Sequence, residues 1–383
     1  MAARIPLASR VARRIRQDYI DNGALAIGDQ LPSVRELRKQ YVTSMATVAH
    51  ALSQLEAQGL VVRYQGRGCF VAHEQRPISP DHGPVRIGLI LPAPSSSEMM
   101  TRLYEGVSHG CRRYGYHLLL STAENRYRAE RAALHELFAA GCRGVALHPA
   151  VRSLSEVRDD YLNTEFVGEP IVLVGTALPE HHRAQIVFDN YNAGYEMTRL
   201  LLLEGHRRIA FMKFYHQDSE LLYRATSERY QGWLAALTSA GIRPESDWLW
   251  EVAADFSAGF GASLGEFERH LTRWRDASER PSALIALEDN CAVAVITCAR
   301  EMGIASPEEL RVAGFDNLMI GQAMRPPFPT TVSNFARAGA MAVDLINRQL
   351  RTGNADTRVY VLPVELLPRG LEAIAEADAV PAT

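Results

Sequence analysis

Apolar residues recur first with the period of helices and then with the period of strands, and the switch divides the chain. Val11, Ile15, Tyr19 and Ile20 fall at helical spacing between Ser9 and Gly23, which predicts a first helix. A second helix starts after Ser33, where Ser33 and Glu36 form an S-x-x-E capping box and Val34, Leu37 and Tyr41 share one face. A third starts at Thr43 or Ser44, either of which can cap it. Its buried stripe is Val48, Ala51, Leu52 and Leu55, and Gly59 ends it. The run "LVVRYQGRGCFV" then alternates apolar and polar around Gly66, Arg67 and Gly68, the pattern of a two-stranded hairpin. Three helices and a hairpin predict a winged helix-turn-helix over residues 1–72.

Residues 73–84, "HEQRPISPDHGP", hold three prolines and little that can be buried, so they read as a semi-rigid linker. From Val85 to residue 383 short β-rich runs alternate with helical segments. The runs are "VRIGLIL", "YHLLLS", "RGVAL", "PIVLV", "QIVF", "RRIAFM", "SALIAL" and "LRVAGF". Such alternation predicts parallel sheet with helices on both faces. Nearly 300 residues exceed one simple sheet, so the fold class is α/β, with a two-lobed domain and a cleft behind the N-terminal head.

Charge sharpens the division. Residues 1–72 carry 10 Lys+Arg against 5 Asp+Glu, leaving 31 against 39 for the rest of a chain whose net charge is −3. A basic small module on an acidic large one fits a nucleic-acid head on a body that binds something else. Arg35, Arg38 and Lys39 of the second helix point away from its buried face, where they can meet phosphates; the alternative is a solvated helix face. Opposite the buried stripe of the third helix lie Ala46, His50 and Ser53, flanked by Thr47 and Ala49, with no lysine or arginine among them. Base reading is then left to small groups. Ala46 and the Thr47 methyl suit thymine methyls, His50 suits a purine edge, and Met45 can pack on either. The expectation is an operator with A·T pairs under this helix.

Several chemistries lack support. The five cysteines are scattered, with no C-x-x-C pair, and adjacent His181 and His182 lack metal-pair spacing, so no metal is expected. No G-x-G-x-x-G or G-K-[ST] follows a strand, and lysine occurs only at Lys39 and Lys213, so neither a cofactor nor an enzyme is expected. No apolar run is long enough to span a bilayer and the first residues lack a secretory apolar stretch, which points to a cytoplasmic protein.

The stretch "LPSVRELRKQYVTSMATVAHALSQLEAQGLVVRYQGRGCFV" resembles the DNA-binding domain of the GntR family over about forty residues. The resemblance implies that Arg35 contacts backbone or base, that Ser44 and Thr47 contact the groove, and that Gly66 and Arg67 form the wing tip. Family members often carry arginine where Met45 stands and a basic residue near Ala49. "VFDNYNAGYEMTRLLLLEGHRRIAFM", "ERYQGW", "PSALIALEDNCAVAVITCAREMGI" and "SPEELRVAGFDNLMIGQAMRPPFPTTV" resemble, in order, the effector domain of the LacI family, itself similar to periplasmic sugar-binding proteins. That resemblance implies two lobes joined by three crossovers: just after Asp189, near Asp316 and near Ser333. It also implies a small ligand held by Arg229, Phe256, Glu288, Asp289 and Asp316, with glutamate at Glu288 where the family usually has asparagine. Ser95, after the first strand, offers a further hydroxyl. Each of these has a plainer reading: Arg229 can pair with Glu228, Phe256 can be core, and Asp289 or Asp316 can cap a helix.

Taken together, the expectation is a ligand-responsive repressor of carbohydrate-utilisation genes. It would act as a homodimer on a pseudo-palindromic double-stranded DNA operator, with a sugar-like effector and no membrane partner. The rival is a solute-binding transport protein, which the body alone would suggest.

Overall fold

A computed structural model describes residues 7–21, 25, 29–57, 60–64, 68–71, 84–92, 98–123, 126–150, 160–178, 180–215, 224–253 and 264–370. Gly66, Arg67, Ser95, Phe256 and nearly all of the linker lie outside the described residues. The chain divides into two compact units, Met1–Gly83 with Asn347–Asn354, and Pro84–Ile346 with Ala355–Thr383.

In the first unit, α1 (Leu7–Ile15) widens into a π-helical turn (Arg16–Asp21), followed by α2 (Val34–Gln40) and α3 (Met45–Ala57). The hairpin strands β1 (Val61–Tyr64) and β2 (Gly68–Val71) pair antiparallel. The predicted capping box closes in both directions: the Ser33 amide donates to Glu36 Oε2 at 2.7 Å and the Glu36 amide donates to Ser33 Oγ at 3.4 Å. Val11, Ile15, Leu37, Val48, Leu52 and Leu55 form the core beneath the three helices. The first helix departs from its predicted regular course at the π turn. There Asp18 accepts from the Tyr41 hydroxyl at 2.9 Å and the Tyr19 hydroxyl donates to Gln40, fastening the widened turn to the end of α2. A contact that the pattern did not announce is the bridge of Gln30 to Phe70, which ties the α1–α2 connection to the hairpin.

The second unit has two parallel sheets. Lobe 1 begins with β3 (Arg86–Leu91), α4 (Glu98–Tyr114), β4 (His117–Thr122), α5 (Tyr127–Ala139) and β5 (Cys142–Leu147). It continues through α6 (Tyr161–Thr164), β6 (Ile171–Val174) and β7 (Gln185–Phe188). Lobe 2 follows as α7 (Asn190–Leu203), β8 (Ile209–Tyr215), α8 (Arg224–Ser239), β9 (Leu249–Ala253), α9 (Leu264–Asp276), β10 (Ala283–Ile285), α10 (Asp289–Glu301), β11 (Arg311–Ala313), α11 (Met319–Ala323) and β12 (Thr330–Val332). Then come α12 (Phe335–Thr352), β13 (Val359–Leu362) and β14 (Glu365–Leu367). The lobe 1 sheet runs β13-β7-β6-β5-β3-β4 and the lobe 2 sheet β11-β10-β8-β9, all parallel, while β12 and β14 form an antiparallel pair.

Alternation along the lobe 2 strands explains its two helical layers. Ala210, Met212, Leu284 and Val312 face the α9–α10 side, whereas Ile209, Phe211, Ala283 and Ala313 face α7 and α8. Helices α7 and α8 meet backbone to backbone. A Cβ on Gly194 would lie 2.1 Å from the Arg229 carbonyl oxygen, and one on Gly232 would lie 2.1 Å from that of Tyr191. Only glycine lets α8 approach so closely, which sets how far Arg229 reaches into lobe 2.

The chain crosses between lobes three times, but one crossover is not where it was expected. It passes after β7 at Asp189, returns between β12 and α12 at Ser333, and crosses again between β13 and β14. The segment around Asp316 stays in lobe 2, because the Leu318 amide and the Thr330 hydroxyl both bond Asp289 and Phe328 packs into the lobe 2 core. The true third crossover was hidden because β13 is a four-residue, half-exposed edge strand parted from β14 only by Pro363 and Val364, so the two read as one short run.

Candidate functional site

The head presents one open helical face. Met45 is 41% exposed, Ala46 and His50 are exposed, and Thr47 is half-buried. Ser44 and Thr47 partly consume each other: the Thr47 amide donates to Ser44 Oγ at 3.1 Å, and the two hydroxyls lie 2.8 Å apart. Ser44 is thus the cap that starts α3, satisfying an amide that the helix itself cannot. Arg35, Arg38 and Lys39 are exposed along α2, as the pattern predicted. The wing-tip residues Gly66 and Arg67 lie outside the described residues.

In the two-lobed unit, polar groups converge where the carboxyl ends of the two sheets meet, which is where open parallel sheets bind ligands. Arg229 is their centre, only 8% exposed. Its Nε donates to Asn190 Oδ1 at 3.0 Å, Nη1 to the Leu287 carbonyl at 2.9 Å, and Nη2 to Asp316 Oδ1 at 3.3 Å. Its guanidinium lies 4.2 Å from the Phe315 ring centroid. Three acceptors and an aromatic face hold the fork in one plane, as a ligand-orienting arginine requires. The plainer pairing with Glu228 does not occur, because Glu228 takes Arg224 at 2.8 Å.

Asp316 sits at the start of a turn with positive φ at two successive non-glycine residues, +83° at Asp316 and +48° at Asn317. Such backbone is costly for side-chain-bearing residues and is held here by the surroundings. The Asp316 carboxylate also accepts from the Ser333 hydroxyl at 3.4 Å, so one side chain touches both Arg229 and the lobe crossover. Glu288 ends the strand segment above α10 and receives only Asn290 Nδ2, at 3.3 Å, among the described residues. Burial, with the Asp316 charge adding, pushes its carboxyl up to about 7.

Asp289 corrects the expectation. It is fully buried, and its oxygens are taken by the Leu318 amide at 2.8 Å and the Thr330 hydroxyl at 2.6 Å. Its carboxylate is packed under Gly314 and Gly321, so it pins the strained turn from behind and does not face a ligand. Its neighbour Glu288 faces the other way because it precedes the helix in extended backbone, where successive side chains point to opposite sides. Ser95 and Phe256 lie outside the described residues.

Sequence reasoning missed two contributors. Asn190 stands at the first crossover, where the "VFDN" motif already signalled a junction. His148 follows β5, stacked 6.4 Å from Phe335, and burial drives its imidazole down to about 4, so it is neutral at pH 7. Its position one residue past a strand end was the available signal. Beside Asn190, a small concavity opens between Gly175–Ala177 at the end of β6 and Arg224–Glu228 at the start of α8.

Residues 7–71 match the family described as bacterial regulatory proteins, gntR family, and residues 198–370 match the periplasmic binding protein-like domain. Two segments of the chain thus match, one a gntR-type head and the other a periplasmic-binding-protein-like part of the body. Both resemblances read from the sequence are thereby shown. An arabinose metabolism transcriptional repressor of Geobacillus stearothermophilus is 23% identical over 88% of this chain and 90% of its own length. The HTH-type transcriptional repressor PurR of Mannheimia succiniciproducens is 26% identical over 74% of this chain and 80% of its own. The body shares its fold with a crystal structure of a LacI-family regulatory protein from Chloroflexus aggregans, with TM-score 0.62 at 20% identity over 74% of this chain and 97% of that one. The chain therefore has the domain composition of a DNA-binding transcription regulator. Among the described residues no helix is long and apolar enough to cross a membrane.

Proposed function

We propose that this chain is a ligand-responsive transcriptional repressor, in which the head (residues 1–72) grips an operator, residues 73–84 connect it, and the body (residues 85–383) binds a small sugar-like effector. The carrying observation is that one chain joins an exposed helix lacking any cation to a buried, converging cluster of Arg229, Asn190, Glu288 and Asp316. Phosphate contacts fall to Arg35, Arg38 and Arg67, with Gly66 letting the wing approach the backbone. Bases are read by Ser44, Met45, Ala46, Thr47 and His50, favouring A·T pairs. Paired acceptors beside a forked donor suit vicinal hydroxyls, and Glu288 disfavours an anionic effector. By the family resemblance, Phe256 and Ser95 are further candidates for effector contact. Relatives named for arabinose metabolism support a carbohydrate effector.

The working form is a cytoplasmic homodimer on a pseudo-palindrome, with half-sites about one helical turn, roughly 34 Å, apart. Effector binding favours one lobe arrangement and changes the spacing of the two heads. A solute carrier without regulatory role is the second reading, and the gntR-family head counts against it. The test is selection of binding fragments from the source genome at stated salt, followed by a panel of neutral pentoses and hexoses added to the enriched fragment. An A·T-rich palindrome released by one neutral sugar is the expected result. Invariant guanines under α3 would overturn the base assignment, and an effector-insensitive complex would overturn the sensing role.

A further inference from the structure

Helix α4 of lobe 1 reaches across to the strained turn of lobe 2. Arg102 Nη1 donates to the Asp316 carbonyl at 3.0 Å, and Nη2 donates to the Asn317 carbonyl at 2.8 Å. Glu98, one helical turn earlier, accepts from Arg102 with one oxygen and from the Met319 amide with the other, at 2.8 Å. Two residues of one lobe thus hold three backbone groups of one turn of the other, at Asp316, Asn317 and Met319. The pair keeps 22% and 27% side-chain exposure, so water reaches both charges when it opens.

The geometry depends on the unusual backbone. Successive residues with positive φ turn the Asp316 and Asn317 carbonyls toward one side, where a single planar guanidinium can take both. Lysine, a point charge on a flexible stem, lacks the planar fork that meets both carbonyls in one geometry. The same Asp316 offers its carboxylate to Arg229 and Ser333, so its side chain and its carbonyl serve different partners. Moving the carboxylate toward a ligand tilts a peptide unit whose other end is bolted to α4. Asp289 steadies this turn from behind through the Leu318 amide, which leaves Arg102 and Glu98 as the contacts that belong to the other lobe.

From this we infer that Arg102 and Glu98 form a latch through which lobe 1 senses the position of Asp316, Arg102 acting as a positioning residue for the cleft. The inference rests on the regulator reading for its purpose, but not for its test. The full-length chain, without effector or DNA, is examined in two ways. One is the distance between nitroxide labels placed on α5 of lobe 1 and α9 of lobe 2; the other is hydrogen exchange of the Asp316–Gln322 segment. Arg102→Met is expected to broaden the inter-lobe distance distribution and to speed exchange at the Met319 amide roughly tenfold, the loss of a charge-assisted bond network. Arg102→Lys should recover part of both, and Glu98→Ala should reproduce the exchange change. Faster exchange with an unchanged distance distribution would make the contacts merely local and overturn the latch, as would no change in either. If Arg102→Met loses protection throughout lobe 2, the comparison of Arg102→Lys with Glu98→Ala decides by the same two readouts. Because neither readout involves an operator, failure here leaves the regulator reading standing, and failure of fragment selection leaves the latch standing.

Discussion

Helix α3 offers Met45, Ala46 and His50 from one short stretch of a single helix, whereas the cleft brings together Arg229 and Asp316 across 87 residues and adds Asn190 and Ser333 from two crossovers. The first surface is a local product: a cap, a buried stripe and the opposite face left to solvent. The second is a convergent product, in which each polar group is buried and its partner comes from another element. Local surfaces should tolerate side-chain change, and convergent ones should lose geometry and stability together.

The sharpest way to break that comparison is to remove the support beneath the local surface. Leu52→Ala opens a cavity under α3 and should cost about 2–5 kcal/mol, melting the head and abolishing operator binding while the body keeps its own transition in urea unfolding. A body that melts with it would mean that the two units are one cooperative block. Next is Gly194→Ala, which forces α7 from α8 at the Arg229 carbonyl and should cost about 1–3 kcal/mol. Effector response should fall while operator affinity stays near wild type, measured by fluorescence anisotropy of labelled operator.

A smaller effect comes from protons. Glu288 is raised from 4.5 to about 7, so it binds its proton more tightly folded than unfolded. The stability it contributes is fully present below about pH 4.5 and is lost as pH rises through about 7. Glu288→Gln should therefore flatten part of the decline in body stability between those values and make the variant more stable than wild type at pH 8. Asp289, also raised to about 7 by burial, adds to the same decline. Smallest is Arg38→Ala on the exposed face of α2, which should weaken binding to all sequences alike and reduce the salt slope of binding by about 0.9 if it neutralises one phosphate. Loss confined to one base position would make Arg38 a base reader instead.

The head was almost wholly legible, because its signals are short-range: the Ser33–Glu36 box, the Val48–Leu55 stripe and the alternation across the hairpin each act within a turn or two of chain. Eight predicted strands of the body are present for a similar reason, since most are apolar runs buried in the sheets and the edge strand β4 still carries a leucine run. Strands β9, β12, β13 and β14 escaped notice. They are short or lie at edges, and their residues alternate or mix with prolines. In the cleft the residue types were legible but the duties were not. Glu288 and Asp289 are adjacent and chemically alike, yet one ends beside Asp316 and the other is pinned under Gly314.

What the sequence determined by itself was the helices and hairpin of the head, the eight longer apolar strands of the body, the division into a basic head and an acidic body, and the absence of any cation from the middle of α3, because periodicity, capping and charge are properties of neighbouring residues. What only the tertiary structure decided was which carboxylate meets Arg229, where the third crossover falls, and that Arg102 grips two carbonyls of the opposite lobe. Those outcomes depend on backbone turned into positive φ and on helices brought together at glycine, and both are set by long-range packing that no short stretch of sequence contains.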